Sequence, residues 1–548
     1  MFSKLPTLKE RSVLSIVVLS SLWLAVLGNL ALWRNLINLP DLTGFHGVVF
    51  GVAFAFIIAC VVAACLALFA WRLTLKPAIT LLLMLAAFST HYMLTYGIVV
   101  DTPMLVNVLQ TDSREARDQL SIYLLFTVLL LAVMPAIWLW RQPVVTHRLH
   151  TQALHNLGLL LASLVLAFGT TQLVFQDFSS LMRNYTEMRY QINPLNSIYA
   201  VLDMTVIPAE QPRGPMQPLG EDAQIVKRSA QANQRAPLLV FVLGETARSQ
   251  NFSLNGYPRE TNPLLAKENV TSFSQVSSCG TSTAESLPCM FSHLGRTAFA
   301  KRSNEFENML DVLQRAGYAV LWIDNQSGCK GQCVRIPTAY TSDLKLPEYC
   351  QTGECRDTVM LARIDAELAK LPEERRARGT VVVLHQMGSH GPAYFKRTPT
   401  EFKTFQPECT DSSLSQCERA QVVNAYDNTI LFTDYFLSRV IGWLKTQDKN
   451  AGAMLYVSDH GESLGEKNMY LHGLPYSVAP PEQTTVPMIT WLSPSFEQFS
   501  RVSTRCLQSQ REKPLSHDNL FHSVLGLMSV KTSAYQRELD FFANCEGR

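Results

Sequence analysis

Five long apolar segments crowd the first third of the chain. Each holds almost no charge and is long enough for a helix of about 20 residues to cross a hydrocarbon core of about 30 Å. Buried helices of a large soluble protein would carry polar positions at a 3.6-residue period, and these segments lack them. The pattern therefore predicts five transmembrane helices, at about 12–33, 47–71, 78–100, 120–140 and 154–175.

The pattern changes after the fifth segment. A polar stretch dotted with aromatic residues, 176–205, predicts amphipathic helices along the membrane surface, and a linker rich in Pro and Gly follows at 208–220. From about Pro237, short apolar runs alternate with helical patterns, which predicts an α/β domain with a parallel sheet covered on both faces. The predicted organisation is a transmembrane domain at 1–176, bridging helices and linker at 177–236, and a catalytic domain at 237–548.

Within the α/β domain, the apolar runs and helical patterns have definite positions. The predicted strands are Leu238–Leu243, Val320–Ile323, Val381–Leu384 and Met454–Val457, with helices that include Phe306–Arg315 and Asn424–Lys445. Each strand ends in a cluster of polar residues. In open α/β sheets, ligands bind at the carboxyl ends of the strands, so these clusters are the expected site.

Basic residues indicate how the chain is inserted in the membrane. Those expected on the cytoplasmic side with the N-terminus are Lys4, Lys9, Arg11, Arg72, Lys76, Arg141 and Arg148. The opposite loops hold only Arg34, Arg114 and Arg117. Seven basic residues on one side against three on the other favour a cytoplasmic N-terminus. Five crossings then place everything after Phe175 on the outer side of the membrane.

Cysteine positions support the same orientation. Cys60 and Cys65 fall within a predicted span, and the other ten lie beyond the last one. An even set in an exported domain indicates disulfides, whereas structural zinc would need CxxC spacings that are absent. Spacing does not fix the connectivity. The simplest proposal pairs neighbours: Cys279–Cys289, Cys329–Cys333, Cys350–Cys355, Cys409–Cys417 and Cys506–Cys545.

The whole-chain charge is nearly balanced, with 47 Lys+Arg against 45 Asp+Glu. No basic run typical of a nucleic-acid-binding tail occurs, so no nucleic-acid partner is expected. Three residues at strand ends, Glu245, Asp459 and His460, are suitable zinc ligands and favour a metal site. The segment 278–289 is rich in small hydroxyl residues before a predicted helix. Such a hydroxyl is either a helix cap or a nucleophile, and this segment by itself favours the cap.

These polar clusters also carry a family resemblance. The segments that carry it are Gly244–Arg248, Cys279–Ala284, Asp324–Lys330, His385–Pro392 and Ser458–Glu466. The set, with the five spans, resembles the lipid A phosphoethanolamine transferases, the family that includes the mobile colistin-resistance enzymes. The resemblance implies an alkaline-phosphatase/sulfatase-like fold for the catalytic domain, in the periplasm of a bacterium and anchored in its inner membrane.

The resemblance also implies roles for individual residues. Glu245, Thr283, Asp459 and His460 would hold a catalytic Zn²⁺, and Thr283 would be the nucleophile. Lys330, His390 and His472 would contact the donor phosphate, and His385 would support a second metal position. Headgroup contacts are expected from Asn107, Thr111, Glu115, Gln326 and Ser327, although some members carry Asn where this chain has Gln326.

The activity implied is transfer of phosphoethanolamine from phosphatidylethanolamine to a phosphate of lipid A through a phosphothreonine intermediate. The product has a less negative surface, which implies resistance to polymyxin and cationic peptides. A monomer is expected. Two alternatives stay open: a transferase for another acceptor, such as a core sugar, a glucan or a protein, and an anchored binding protein that kept the fold without chemistry. A complete set of Glu245, Thr283, Asp459 and His460 argues against the second.

Overall fold

A computed structural model describes residues 10–39, 42–110, 116–117, 119–145, 147–205, 215–226, 235–343, 346, 348–351 and 354–547. The chain divides into two compact units. The first comprises Met1–Leu105 and Leu120–Ile207, and the second comprises Val106–Gln119 and Pro208–Arg548.

The first unit is built from apolar helices. Within the described residues, five helical stretches are long and apolar enough to cross a membrane: Val13–Ile37, Gly44–Leu68, Leu75–Tyr96, Ile122–Arg141 and Leu149–Leu173. The five predicted spans are confirmed, with ends that differ by up to five residues. Helix ends of this kind depend on local turns that an apolar count does not detect.

Two of the five stretches are interrupted. The first consists of α1 (Val13–Val26), a 3₁₀ turn and α2 (Leu30–Ile37). At the turn, the Asn29 amide donates to the carbonyls of Leu24 (2.9 Å) and Asn193 (2.7 Å), and the Asn193 N–H donates back to Asn29 at 2.8 Å. A polar side chain inside an apolar span is tolerated where its hydrogen bonds are satisfied in this way. The fourth stretch contains a π-helical segment, Leu129–Val133.

The remaining elements before residue 206 follow in chain order. They are α3 (Gly44–Leu68), α4 (Leu75–Tyr96), α5 (Thr102–Gln110), α6 (Ile122–Val128), α7 (Met134–Arg141), α8 (Leu149–Leu173), α9 (Phe175–Asn184), α10 (Thr186–Arg189), α11 (Leu195–Thr205), and the short strands β1 (Arg11–Ser12) and β2 (Val144–Val145). Helices α9 to α11 confirm that the stretch 176–205 is helical. Their placement along the membrane surface stays a prediction, as do the proposed domain boundaries.

The second unit contains an eight-stranded sheet in its described residues, in the order β15-β5-β14-β11-β4-β10-β6-β7. The strands of this unit are β3 (Gln224–Ile225), β4 (Ala236–Gly244), β5 (Val270–Ser277), β6 (Ala319–Asp324), β7 (Thr338–Tyr340), β8 (Cys350–Gln351), β9 (Glu354–Cys355), β10 (Thr380–His385), β11 (Asn450–Ser458), β12 (Ser463–Glu466), β13 (Met469–Leu471), β14 (Thr485–Leu492), β15 (Leu515–Ser516) and β16 (Val530–Lys531). The four predicted strands are the adjacent β11, β4, β10 and β6, all parallel to one another.

The prediction of a wholly parallel sheet is wrong at one side. Strand β14 pairs antiparallel with β11, and β5 pairs antiparallel with β14. The reason is visible in β5, whose segment VTSFSQVS lacks the continuous apolar run of a strand buried on both faces. The four central strands are buried throughout, apart from the partly exposed first residue of β4 and of β11.

Helices complete this unit. They are α12 (Thr283–Met290), α13 (Arg296–Ala300), α14 (Met309–Ala316), α15 (Val359–Ala369), α16 (Glu373–Arg378), α17 (Tyr394–Arg397), α18 (Arg419–Lys445), α19 (Pro481–Thr484), α20 (Pro494–Ser500), α21 (Thr504–Ser509) and α22 (Leu520–Leu527). Helix α14 begins at a capping box, in which Asn308 and Asp311 satisfy each other's backbone N–H groups. The core lies between sheet and helices, with Phe241, Phe291 and Trp322 in contact and fully buried.

All ten cysteines of the second unit form disulfides in the described chain. The five pairs are the neighbours proposed from the sequence, Cys279–Cys289, Cys329–Cys333, Cys350–Cys355, Cys409–Cys417 and Cys506–Cys545. Cys60 and Cys65 are free thiols within α3. Such bonds persist in oxidising compartments, so this unit is built for one.

Candidate active site

The carboxyl ends of β4 and β11 bring two acidic residues together. Glu245 follows β4 and Asp459 follows β11, its neighbour in the sheet, and both are buried. The Asp459 N–H donates to the Gly244 carbonyl at 3.0 Å. A side chain at Gly244 would meet the Tyr456 ring at 2.5 Å, so glycine permits the two strand ends to pack closely.

His460 and Thr283 complete the cluster. The Thr283 hydroxyl lies 3.1 Å from both carboxylate oxygens of Glu245 and 3.5 Å from Nε2 of His460. That nitrogen is 3.4 Å from Glu245 Oε1 and 3.4 Å from Asp459 Oδ2. One ligand atom from each of Glu245, Asp459 and His460 lies within 4.8 Å of the others. The structure therefore brings together all four residues expected to hold a metal.

Helix α12 places Thr283 at its first position, after Ser282 in extended conformation. The Ser282 side chain makes no capping hydrogen bond, and the Thr281 hydroxyl donates instead to the Leu474 carbonyl at 2.6 Å. The capping interpretation of these hydroxyls is wrong for this helix. The hydroxyl of Thr283 faces the carboxylate cluster.

The electrostatics of the cluster favour a bound cation. Burial and the Glu245 carboxylate raise the pKa of Asp459 to about 6. Burial alone would lower the pKa of His460, but the Asp459 and Glu245 carboxylates raise it to about 10. Burial likewise opposes ionisation of Glu245, yet its hydrogen bond with His460 and the His460 charge hold its pKa well below the usual range. Positive charge is therefore stabilised at this point.

The donor atoms also fit a metal ion. Asp459 Oδ2 is buried and has no hydrogen-bond partner in the described part of the chain. Two carboxylates, an imidazole nitrogen and a hydroxyl form a set of four oxygen and nitrogen donors of the type that Zn²⁺ accepts. A buried carboxylate oxygen without a partner is costly unless a cation binds it. The donor chemistry of these residues therefore fits a bound metal ion.

His385 lies on another side of Glu245. Its Nδ1 is 2.9 Å from Asp324, and the Trp322 indole N–H donates to the same Asp324 oxygen at 2.8 Å. Its Nε2 is 4.0 Å from Glu245 and has no hydrogen-bond partner within the described ranges. An imidazole oriented by a carboxylate is typical of metal-binding histidines. A second metal position at His385 remains a prediction.

The expected phosphate-binding residues lie on two loops. Lys330, in the left-handed region at φ 46°, donates to the Ser327 hydroxyl at 3.2 Å within a loop closed by the Cys329–Cys333 disulfide. The Gln326 amide donates to Glu245 at 3.1 Å, so it supports the carboxylate cluster in this structure. Gln326 also accepts hydrogen bonds from Ser327.

The two histidines expected beside the donor phosphate lie near the cluster. The His472 ring centroid lies 4.2 Å from that of His460 and 5.5 Å from that of His390. Nδ1 of His472 is 3.0 Å from the Glu462 carboxylate, which is buried and whose pKa is raised by burial to about 8. Their proximity to the cluster is established, and their contact with phosphate remains a prediction.

The expected headgroup residues before the fourth span are only partly described. Asn107 lies in α5. Thr111 and Glu115 lie outside the described residues. Headgroup binding by these three residues stays a prediction.

Sequence reasoning missed several residues that shape the cluster. Thr246, at φ 57°, donates its hydroxyl to Glu245 at 2.7 Å and its N–H to Asp459 at 3.1 Å. His517 accepts from the Cys279 N–H at 3.1 Å and pairs with the Ser458 carbonyl at 3.0 Å. Thr246 could have been suspected because it follows Glu245 directly. His517 lies 57 residues beyond His460, and no local signal points to it.

Comparisons with known proteins cover the whole chain. A sulfatase family model matches residues 237–530, and a model described as phosphoethanolamine transferase EptA/EptB matches residues 58–207. Phosphoethanolamine transferase EptA of Escherichia coli K12 is 37% identical over 540 residues, covering 97% of each chain. The chain belongs to the phosphoethanolamine transferase family. Phosphatidylethanolamine transferase Mcr-1 of Escherichia coli is 38% identical, covering 84% of each chain.

A solved structure agrees with this family membership. The integral membrane protein lipooligosaccharide phosphoethanolamine transferase A from Neisseria meningitidis is 34% identical. It superposes with a TM-score of 0.92, covering 99% of this chain and 100% of that one. The predicted fold class, five apolar helices with a sulfatase-like α/β domain, is confirmed. This phosphoethanolamine transferase is an integral membrane protein.

Proposed function

We propose that this phosphoethanolamine transferase moves phosphoethanolamine from phosphatidylethanolamine to a phosphate of lipid A. The observation that carries the proposal is the buried Thr283 hydroxyl, 3.1 Å from both oxygens of Glu245 and within a group that can hold a metal. The name of Mcr-1 supports the donor, since it describes that protein as a phosphatidylethanolamine transferase. The meningococcal relative acts on lipooligosaccharide by its name, which supports a lipid A-type acceptor.

Zinc is the metal that we propose, held by Glu245, Asp459, His460 and Thr283. When bound there, Zn²⁺ would lower the pKa of a hydroxyl and offset negative charge on phosphoryl oxygens. Binding requires the carboxylates ionised and the imidazole neutral at its liganding nitrogen. Glu245 is ionised beside His460, and a bound ion would displace the proton that the Glu245 and Asp459 carboxylates favour on His460.

In the first displacement, Thr283 Oγ attacks the donor phosphorus. A bond from phosphorus to Thr283 forms as the bond to the diacylglycerol oxygen breaks, and the hydroxyl proton moves toward the Glu245 carboxylate 3.1 Å away. Lys330 is proposed to offset the charge of the equatorial oxygens. A protonated His390 or His472 supplies the proton that diacylglycerol needs.

In the second displacement, an oxygen of a lipid A phosphate attacks the phosphorus of phosphothreonine. A phosphorus–oxygen bond to the acceptor forms as the bond to Thr283 Oγ breaks, and Thr283 takes back the proton that moved toward Glu245. The acceptor leaves with phosphoethanolamine, and the histidine that protonated diacylglycerol is reprotonated from solvent. The added amine makes the acceptor less negative, so cationic peptides and polymyxin bind it less well.

The orientation of the chain in the membrane decides on which side the reaction takes place. We propose a bacterial inner-membrane protein with a cytoplasmic N-terminus and the α/β unit in the periplasm, acting as a monomer. Five disulfides in the described residues of that unit support an oxidising compartment. Both substrates are lipids, so five apolar helices keep the enzyme in their bilayer.

The proposal is tested by mass spectrometry of lipid A from cells that express the wild-type chain or Thr283→Ala. The wild type should add the mass of one phosphoethanolamine group, and Thr283→Ala should add none. Thr283→Ser is the matched control, because it restores a hydroxyl and should restore part of the product. Lipid A modified by Thr283→Ala would refute the nucleophile assignment. Unchanged lipid A in wild-type cells, with another envelope component modified, would favour a different acceptor.

A further inference from the structure

Two cavities lie side by side in the α/β unit, outside the carboxylate cluster. The smaller has a volume of about 270 Å³ and the larger about 650 Å³. Tyr349 and Arg356 line both of them. We call the two together the Arg356 groove. The Cys350–Cys355 disulfide ties the short segment that carries Tyr349 to the one that carries Arg356.

The smaller cavity is cationic. Four basic side chains line it against two acidic ones. Arg397 is paired with Glu354, and Lys403 with Glu408 at 2.5 Å. The Asp357 carboxylate is used internally, since it accepts from the backbone N–H groups of Met387 and Gly388.

Arg356 differs from these basic residues. Its guanidinium makes no ion pair or side-chain hydrogen bond with any residue that the structure describes. A guanidinium presents a planar fork of donors that matches two oxygens of a phosphate. The cavity therefore offers an anion one guanidinium that is not engaged by a side chain in the described part of the chain.

The larger cavity has an aromatic wall. Phe402 lies 4.6 Å from Tyr435 and 5.3 Å from Phe432, measured between ring centroids, and Trp443 lines the same cavity. The Trp443 N–H donates to Asp365 at 3.1 Å, which fixes the indole. Aromatic faces next to charged groups suit a ligand with apolar C–H faces and polar edges, such as a sugar ring.

The groove shares structural elements with the active site. Gly388 lines the smaller cavity, and the next residue, Ser389, donates its N–H to the Glu245 carbonyl at 3.0 Å. Arg397 lines it too, and donates to the His390 carbonyl at 3.0 Å. A ligand in the groove is therefore held by the same loop that supports Glu245 and His390.

We propose that the Arg356 groove binds a phosphorylated saccharide part of the acceptor, with a phosphate at Arg356 and a sugar ring against the aromatic wall. This inference rests on the proposed function, because it assumes an acceptor that carries one phosphate to react at Thr283 and a second to be bound. The groove then makes a doubly phosphorylated acceptor bind better than a singly phosphorylated one.

The test compares two acceptors with the full-length enzyme in detergent. Bisphosphorylated and monophosphorylated lipid A are each titrated against wild type and Arg356→Ala, and the apparent KM and kcat are measured. The apparent KM of the wild type should be about tenfold lower for the bisphosphorylated acceptor than for the monophosphorylated one. Arg356→Ala should lose that preference through a KM increase of about tenfold for the bisphosphorylated acceptor alone, with kcat nearly retained. Arg356→Lys, which keeps the charge without the fork, should recover part of it.

The control is Arg505→Ala, which removes an exposed arginine of α21 and should leave both constants unchanged. The same preference in wild type and Arg356→Ala would overturn the inference, as would a KM increase confined to the phospholipid donor. A lower melting temperature of Arg356→Ala with equal KM increases for both acceptors would point to a structural role and also overturn it. No transfer to either acceptor by the wild type would instead be a failure of the proposed function.

Discussion

The hydroxyl of Thr283 lies 3.1 Å from both carboxylate oxygens of Glu245, although 38 residues separate them in the chain. Thr283 begins α12 and Glu245 directly follows β4, so the contact joins a helix N-terminus to the residue after a strand. A helix N-terminus stabilises negative charge. The proposed nucleophile thus lies at a helix N-terminus, beside the group of residues that could hold a metal ion.

Removal of one proposed ligand should remove the metal. Glu245→Ala deletes a carboxylate that contacts both Thr283 and His460. We expect the zinc content of the purified enzyme, measured by mass spectrometry of the metal after dialysis, to fall at least tenfold, with transfer lost. Glu512→Ala, at an exposed surface ion pair, should keep both. Metal content of Glu245→Ala equal to the wild type would show that the ion binds elsewhere.

Thr246 should matter for metal affinity although it is not a ligand. Thr246→Val keeps the β-branched shape at φ 57° but deletes the hydrogen bond to Glu245 at 2.7 Å. We expect a 10- to 100-fold loss of zinc affinity, as for other groups that orient ligands. Competition with a chelator measures it. Thr246→Ser keeps the hydroxyl and should bind zinc nearly as well as wild type; equal loss in both variants would contradict this explanation.

His517 should make the enzyme sensitive to acid. Burial, with a smaller effect of the His460 charge, lowers the pKa of His517 to about 3, although its hydrogen bond to the Ser458 carbonyl opposes this shift. In the unfolded chain its pKa is about 6.5, so below that pH the unfolded state binds the proton first and stability falls as pH falls. Between pH 7.5 and pH 5, protonation of His517 in the unfolded chain should therefore lower the free energy of unfolding by about 2 kcal/mol.

This pH effect is measured by unfolding in detergent at pH 7.5 and pH 5. His517→Gln should be less stable than wild type at pH 7.5, because a flexible amide replaces the rigid ring that bridges the Cys279 N–H and the Ser458 carbonyl. It should also lose less stability than wild type on acidification. The same loss in both proteins would mean that other groups carry the acid sensitivity.

Gly388 should be irreplaceable. It has φ +54°, and a Cβ there would lie 2.7 Å from the Glu245 carbonyl. Gly388→Ala therefore combines left-handed strain with a backbone clash and should displace Glu245. Gly256→Ala is the matched control, with φ +95° and open space around it. In thermal unfolding, we expect Gly388→Ala to lose at least about 2 kcal/mol more than Gly256→Ala, and transfer to fall with it. Equal effects would show that strain alone matters.

Much of the architecture was predictable because it depends on local patterns. Five apolar segments of sufficient length specify spans, since the hydrocarbon core sets a minimum length. The apolar runs of β4, β6, β10 and β11 specify central strands, since residues buried on both faces must be apolar. Neighbouring cysteines such as Cys350 and Cys355 pair because their backbones are already close. In each case the feature depends on residues that are close to one another in the sequence.

Other features depended on how distant segments pack. The antiparallel pairing of β14 with β11 has no signature in the composition of β14, whose segment TVPMITWL is as apolar as a central parallel strand. Thr246 and Asp459 are 213 residues apart in the sequence, yet the Thr246 N–H donates to the Asp459 carboxylate at 3.1 Å. The choice of Thr283 over its neighbouring hydroxyls likewise depends on where α12 begins relative to β4.

The sequence by itself thus determined the membrane spans and the central strands, and through family resemblance it indicated the residues of the site. For the disulfides it offered neighbour pairing only as the simplest proposal. Only the tertiary structure decided that Glu245, Thr283, Asp459 and His460 share one buried cluster, and that Thr246 and His517 hold it in place. The physical reason is that local patterns specify which surfaces are buried, whereas a site requires atoms from remote segments at distances that only packing sets.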